Sequence, residues 1–390
     1  MNEHNDYVSK LARDYPTSLI WKMFDYAKDY PGSINTCNGE PNFDTPEHIK
    51  EAGIKAIEAG ETKYGMEYGL DELRDAVAKK HIRQFGGSYD INNVMICGGG
   101  VEGIILSLMA VINPGEEVIL PDPAYTCYKG QILSVGGIPV RVPLTEENGF
   151  KLTAEDLESA VTSKTKALII NYPSNPLGAV LTEEDGRKLA QVIEKHNMIV
   201  ISDEVYENII FDGRKHFSLH SLPGIKDKVI IVNSFSKTYA MTGWRLGYIV
   251  STDKDLMENM YKMQHAILSC LPIFIMRAGV AALNGPQDCV EYMRQQYERR
   301  RDLLIDGLSD VPGMKCFRTE GSFCTFINIK ELGISSWDFS KELLANARVI
   351  TVAGSAFGEM GEGYLRMTFA NSDENIIEAT ERIRKYMIKR

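Results

Sequence analysis

The stretch Ser234-Phe235-Ser236-Lys237-Thr238-Tyr239-Ala240-Met241-Thr242-Gly243-Trp244-Arg245-Leu246-Gly247 sets one lysine among residue types that hold phosphate, with two serines before it and an arginine after it. Hydroxyls and a guanidinium grip phosphate oxygens, and a primary amine beside them is a nucleophile toward a carbonyl carbon. Directly upstream, Val229-Ile230-Ile231-Val232-Asn233 is an almost unbroken apolar run, which reads as a buried strand. Lys237 therefore belongs at a strand end, where the ligand sites of open α/β sheets lie.

Working outward, the same rhythm runs from about residue 93 to 250. Strands are expected at Val94–Cys97, Val118–Pro121, Ile138–Val142, Ala167–Asn171, Ile199–Asp203, Val229–Asn233 and Leu246–Val250. Between them lie helical stretches at Val101–Ile112, Ala124–Val135, Ala154–Val161 and Glu183–Lys195, the last capped by Thr182. Such alternation is the mark of βα units and a mostly parallel sheet with helices on both faces. Two amphipathic helices, Pro46–Ala59 and Leu70–Gln84, extend this α/β block backward. After Leu271-Pro272 a long helical region follows, and Arg299-Arg300-Arg301 is assigned to its solvated face. Short strands at Phe323–Asn328, Val349–Val352 and Tyr364–Met367, then a helix from Glu374 to Lys389, give a smaller α+β unit. The expected division is an N-terminal arm with part of the small domain in 1–45, a large domain in 46–285 and a small C-terminal domain in 286–390. The apolar pairs Leu19-Ile20 and Met23-Phe24 mark the arm as a segment that needs a surface to cover.

Composition narrows the function. The chain has 390 residues, is 44% hydrophobic and carries a net charge of -10, which argues against nucleic acid as a main ligand. Seven scattered cysteines never form a CxxC pair, which fits reduced thiols and a cytoplasmic home. The polar start Met1-Asn2-Glu3-His4-Asn5-Asp6 has no signal pattern, and no apolar run reaches membrane-spanning length. With no HxH or HExxH among seven histidines, no metal is expected.

Three readings of these residues compete. Gly98-Gly99-Gly100-Val101-Glu102-Gly103 fits GxGxxG, and Asp122 ends the next strand, so a nicotinamide dinucleotide is a legitimate reading. A glycine-rich turn into a helix, however, binds any phosphate through backbone N–H groups. Ser234-Phe235-Ser236-Lys237 also fits the SxxK nucleophile motif, yet no SDN or KTG follows it. Residues at other strand ends break the tie in favour of pyridoxal 5′-phosphate (PLP). Asp203 would bond the pyridine nitrogen, Tyr206 and Asn175 the phenolate oxygen, and Tyr125 would stack on the ring.

With those residues in place, the chain resembles the class I/II aminotransferases of PLP fold type I, in the aspartate-aminotransferase-like group. The resemblance rests on Asn38-Gly39-Glu40-Pro41-Asn42-Phe43-Asp44-Thr45-Pro46, Tyr64 with Gly69 and Leu73-Arg74, Asn175-Pro176, Asp203-Glu204-Val205-Tyr206, Ser236-Lys237 through Gly247, and Leu365-Arg366-Met367. It implies that Lys237 carries the cofactor and that Gly99, Gly100 and Val101 offer amides to its phosphate, with Ser234, Ser236 and Arg245 completing the cradle. Arg366 would clamp the substrate α-carboxylate, helped by the Gly39 N–H and Asn175. Tyr64 would reach the phosphate of the neighbouring subunit's cofactor, making a homodimer with shared sites tied together by the N-terminal arm. The implied reaction moves an amino group from an L-amino acid to a 2-oxo acid in two half-reactions, with Lys237 kept partly neutral by Arg245 and the protonated ring. Val101 and Tyr125 stand where aspartate-specialised bacterial members often carry lysine and tryptophan, which leaves aromatic, alanine-like and dicarboxylic donors open. Lys129, a candidate for a distal carboxylate, reads as an exposed helix lysine. The alternatives are a β-lyase, a non-catalytic PLP-binding regulatory module and a dehydrogenase.

Overall fold

The structure is a computed structural model and describes residues 7–390. The acidic start Met1 to Asp6 lies outside the described residues. Thirteen strands are present among them: β1 Ile34–Asn35, β2 Val94–Cys97, β3 Glu117–Asp122, β4 Ile138–Pro143, β5 Thr165–Asn171, β6 Ile199–Asp203, β7 Val229–Ser234, β8 Gly247–Val250, β9 Lys315–Cys316, β10 Cys324–Asn328, β11 Val349–Ile350, β12 Val352–Ala353 and β13 Tyr364–Thr368. The α-helices are α1 Lys10–Asp14, α2 Leu19–Ala27, α3 Glu47–Glu58, α4 Asp71–Phe85, α5 Gly100–Val111, α6 Cys127–Ser134, α7 Ala154–Ala160, α8 Glu183–Lys195, α9 Phe235–Thr238, α10 Lys254–Ile267, α11 Ile273–Asn284, α12 Asp288–Leu308, α13 Ser336–Ala347 and α14 Asp373–Met387.

Seven strands form one sheet in the order β2-β8-β7-β6-β5-β3-β4, parallel throughout except for β8, which runs against both neighbours. Its central strands read as continuous apolar runs because both faces are covered. Along β7, Val229 and Ile231 face one core with α4, α8 and α11, while Ile230 and Val232 face the other with α5, α6 and α10. Helix α8 starts on the expected capping box, with Thr182 accepting from the Asp185 N–H and the Asp185 side chain returning to Thr182.

A second, antiparallel sheet runs β12-β13-β10-β9 and packs with α12, α13 and α14 around Phe323, Phe339 and Leu365. The two-residue β1 pairs in parallel with β11, so residues 34–35 join the C-terminal part of the chain. The expected strand Val349–Val352 is broken at the fully buried Thr351, and its halves join different sheets. The helical region after Pro272 is two helices, separated at Gly285-Pro286, and α10 lies before it, where no helix was read. Helix α6 begins at Cys127 rather than Ala124, whose N–H is taken by the Phe357 carbonyl at 3.0 Å.

Arg301 does not lie on a solvated face. It is 1% exposed, with Nη1 and Nη2 donating to Asp212 at 2.8 and 2.9 Å and Nη1 also to the Thr319 carbonyl at 3.0 Å. Arg300 is mostly buried and Arg299 half-exposed, and both pair with Asp373. Arg301 points away from its two neighbours, because adjacent helix positions are turned by about 100° and a run of like charges cannot all share one face.

Candidate active site

The carboxyl ends of β2, β3, β5, β6 and β7 open together on a cleft of about 1060 Å³. It is lined by Gly39, Gly100, Val101, Tyr125, Asn175, Asp203, Tyr206, Ser234, Ser236, Lys237, Arg245 and Arg366, which the sequence had placed on separate elements.

Ser234 ends β7, and the one-turn α9 that follows carries Lys237. Lys237 is half-buried, with its Nζ donating to the Gly39 carbonyl and lying 5.9 Å from the Tyr206 ring centre and 5.5 Å from that of Phe323. Burial lowers its ammonium to about 8, Cys324 and Glu40 oppose the change, and the nearby Arg366 charge adds to it. The expected cause, Arg245, is not among these. Gly39 meets the lysine through its carbonyl, while the N–H was the group expected to act.

Ser234 Oγ accepts from the Ser236 N–H at 3.1 Å and lies 2.8 Å from Ser236 Oγ. Arg245 is exposed to the cleft and adopts a left-handed backbone, φ 55, uncommon for a residue with a Cβ. Its Nη1 donates to the Thr242 carbonyl at 2.9 Å and its Nη2 to the Gly98 carbonyl at 3.0 Å, which fixes the guanidinium beside the start of α5. Gly99, at φ 94, leaves that place free, since a Cβ there would sit 2.6 Å from Arg245 Nη2. A Cβ on Gly247 would approach the Gly99 backbone to 2.8 Å, so the two glycines let β2 and β8 close under the helix start. Serine hydroxyls, a fixed guanidinium and the first amides of α5 make a donor set suited to a phosphate group.

Asp203, at the end of β6, is 6% exposed, and its Oδ2 accepts from the Tyr128 hydroxyl at 2.6 Å. Burial lifts its carboxyl to about 6, against the pull of Tyr128 and the Val205 N–H. A buried carboxylate facing a cleft fits a cationic ring nitrogen, and the phosphate donors lie across the same cleft, so these residues fit PLP. Tyr128 was not foreseen, although it stands one helical turn beyond Tyr125, and the two rings meet edge to face at 5.5 Å. Asn171 was also missed: it accepts from the Asn175 N–H at 2.8 Å and donates to the Asp203 carbonyl at 3.0 Å.

Arg366 is 3% exposed on β13, with Nη1 donating to Asn175 Oδ1 at 3.3 Å and Nη2 donating to the Cys37 carbonyl. Its Nε is buried without a hydrogen-bond partner among the described residues, a costly state unless a ligand accepts from it. Lys129 lines the cleft from α6 and is half-buried, so the reading of it as an exposed helix lysine is corrected. The arm closes one side through Tyr15, Ile20, Trp21 and Phe24. Tyr64 does not line the cleft and is 90% exposed.

The dinucleotide reading loses its ribose partner here. Asp122, which a dinucleotide ribose would need, is held by Arg141 at 2.8 Å and by the Glu359 and Met360 N–H groups at 3.2 and 3.3 Å. Among the described residues no cluster could hold a metal, no helix is long and apolar enough to cross a membrane, and none of the seven cysteines is in a disulfide.

The family described as aminotransferase class I and II matches residues 31–383. The chain is 43% identical over 373 residues to an aspartate aminotransferase of Pyrococcus abyssi and 42% identical over 373 residues to aromatic-amino-acid aminotransferase 2 of Thermococcus litoralis, covering 95% of each chain. The crystal structure of the aromatic aminotransferase from Pyrococcus horikoshii superposes with a TM-score of 0.89 at 41% identity, over 94% of this chain and 99% of that one. These findings support neither a dehydrogenase, nor a β-lyase, nor a non-catalytic module. A match that spans both sheets, with a lysine, a buried carboxylate and a buried arginine around one cleft, places the chain in the class I/II aminotransferases, a PLP-dependent family of fold type I.

Proposed function

We propose that this aminotransferase moves the amino group of an L-amino acid to 2-oxoglutarate in two half-reactions on one site, with Lys237 as the catalytic base. The observation that carries the reading is Arg366, a buried guanidinium with an unpartnered Nε on the same cleft as Lys237. A substrate α-carboxylate satisfies that nitrogen and shares Nη1 with Asn175, which fixes the Cα–H bond relative to Lys237. Bound PLP supplies an electron sink for the pair left when that bond breaks. Lys237, brought to about 8 by burial, has a neutral fraction near neutral pH and takes the Cα proton on Nζ. Asp203 would hold the ring nitrogen, Tyr206 and Asn175 the phenolate oxygen, Tyr125 the ring face, and Ser234, Ser236, Arg245 and the amides of Gly99, Gly100 and Val101 the phosphate.

The side wall combines Ile20, Trp21 and Phe24 with Lys129, which suits aromatic donors and dicarboxylic ones alike. The names of the relatives, aspartate and aromatic-amino-acid aminotransferases, point the same way. The exposed Tyr64 supports a homodimer in which it reaches the partner's cofactor, and the unpaired cysteines support a cytoplasmic setting. The second sheet, the break between α11 and α12 at Gly285-Pro286 and the β1–β11 pairing support the division into 1–45, 46–285 and 286–390.

The test is an amino-donor screen of the PLP-reconstituted protein against 2-oxoglutarate, alongside Arg366→Leu. Wild type transfers amino groups from aspartate and aromatic amino acids, and the variant loses kcat/KM for every donor. A donor range indifferent to Arg366 would overturn the assignment.

A further inference from the structure

Behind the cleft, between α4 and the sheet, lies a buried polar chain that the proposed reaction does not use. Glu207, four residues beyond Asp203, has a side chain 6% exposed and does not line the cleft. Its Oε1 accepts from Lys80 Nζ and from Asn233 Nδ2, the latter at 2.8 Å, and its Oε2 accepts from Gln84 Nε2 at 3.3 Å. Lys80, whose side chain is 18% exposed, also donates to the Tyr248 hydroxyl at 2.6 Å. Asn233 is 1% exposed, and its Oδ1 accepts from the Ser234 N–H at 2.7 Å.

The order of donors and acceptors gives this chain a direction. An amide side chain has one donating and one accepting end, so an Asn233 that donates to a carboxylate must turn its oxygen toward Ser234. That contact fixes the Ser234 backbone, and Ser234 Oγ in turn accepts from the Ser236 N–H and lies within hydrogen-bond distance of the Leu246 carbonyl at 3.0 Å. Charge imposes a second condition. A buried carboxylate next to a phosphate site would repel its ligand, and Lys80 cancels that charge where solvent cannot screen it.

We infer that Lys80, Glu207 and Asn233 form a positioning relay that sets Ser234, and through it Ser236, for the phosphate of the cofactor. The inference rests on the proposed placement of that phosphate on Ser234 and Ser236. The relay also ties the two ends of the cofactor together, because Glu207 leaves the same turn as Asp203 and Tyr206 while Asn233 sits on the neighbouring strand.

A residue that only supported the fold would not care whether a ligand carries phosphate. The apoproteins of wild type, Glu207→Leu, Asn233→Leu, Lys80→Met and Ser236→Ala are therefore titrated with PLP and with pyridoxal by visible absorbance. The preference for PLP over pyridoxal is expected to fall roughly 10- to 100-fold in the first three variants, as for loss of a hydrogen bond involving a charged group. Adding Glu207→Gln to Lys80→Met removes the uncompensated charge, keeps an acceptor for Asn233, and is expected to restore most of the preference. A wild-type preference in Glu207→Leu and Asn233→Leu, or equal weakening of both ligands, overturns the relay. If Glu207→Leu does not fold, Asn233→Leu and the double variant decide by the same criterion. Loss of preference in Ser236→Ala but not in the relay variants sinks the relay alone. A normal preference in Ser236→Ala removes the phosphate placement, and the relay falls with it.

Discussion

Replacing Tyr128 by phenylalanine deletes one oxygen, the donor to Asp203 Oδ2 at 2.6 Å, and leaves the ring in its buried place. A hydrogen bond to an ionised group contributes about 1.5–3 kcal/mol. At 1.36 kcal/mol per pH unit, its loss raises the carboxyl midpoint by roughly one to two pH units. Burial already holds that midpoint at about 6, so in Tyr128→Phe it moves to roughly 7–8. The sign follows from the role of the group: Asp203 must be ionised to receive the ring nitrogen, so affinity for PLP drops as pH falls through the carboxyl midpoint. Wild-type apoprotein should lose affinity below about pH 6, and Tyr128→Phe should begin to lose it one to two units higher. The assay is PLP association followed by absorbance from pH 5 to 9, with Asp203→Asn as the control that lacks the break. A break that stays in place, or moves to lower pH, would refute the link from Tyr128 through Asp203 to the ring.

Lys237→Ala should abolish the visible band of the lysine-bound cofactor and reduce transamination by at least ~10²-fold, read from single-turnover absorbance changes. Arg366→Lys keeps the charge but loses the planar fork, so kcat/KM should fall roughly 10- to 100-fold for all donors in steady-state assays. Glu207 is pushed up by burial but held down to about 2 by Lys80 and His216, so its stabilising contribution is present above about pH 4.5 and is lost as pH falls toward 2. Acid unfolding followed by circular dichroism should therefore lose this step in Lys80→Met, with a destabilisation of about 3–5 kcal/mol at pH 7. Arg301→Met should also cost about 1–3 kcal/mol in urea unfolding, because the Thr319 carbonyl loses its donor while the partly exposed Asp212 keeps Arg318.

The central strands were legible because covering both sheet faces forces continuous apolar sequence, and Val94–Cys97 and Ile199–Asp203 coincide with the expected ranges. Glu183–Lys195 was legible for a different reason, a Thr182 cap and its own acidic first turn. Where tertiary contacts decide, the local pattern misled. Thr351 looks like a strand residue but is the point at which the backbone changes sheets. Arg301 belongs to a charged run yet reaches a carboxylate 89 residues earlier. In the cleft, most of the lining residues were readable by type and position, whereas those that hold them from behind were not. Tyr128 and Asn171 carry no mark of their role until β6 and α6 are brought together. Lys129 illustrates the limit on a helix surface, since spacing gives its face but not what faces it.

The short pairing of β1 with β11 has a consequence for how the protein comes to work. Ile34 lies against Val349 and Cys37 against Arg366, contacts that span more than 300 residues. During synthesis every strand of the seven-stranded sheet has emerged once β8 is made, but the carboxylate grip proposed for Arg366 has no second half until the chain is almost complete. Such distant closure is slow to form. An emerging chain would thus carry Lys237 and the donors proposed for the phosphate well before it could assemble the grip proposed for an amino acid.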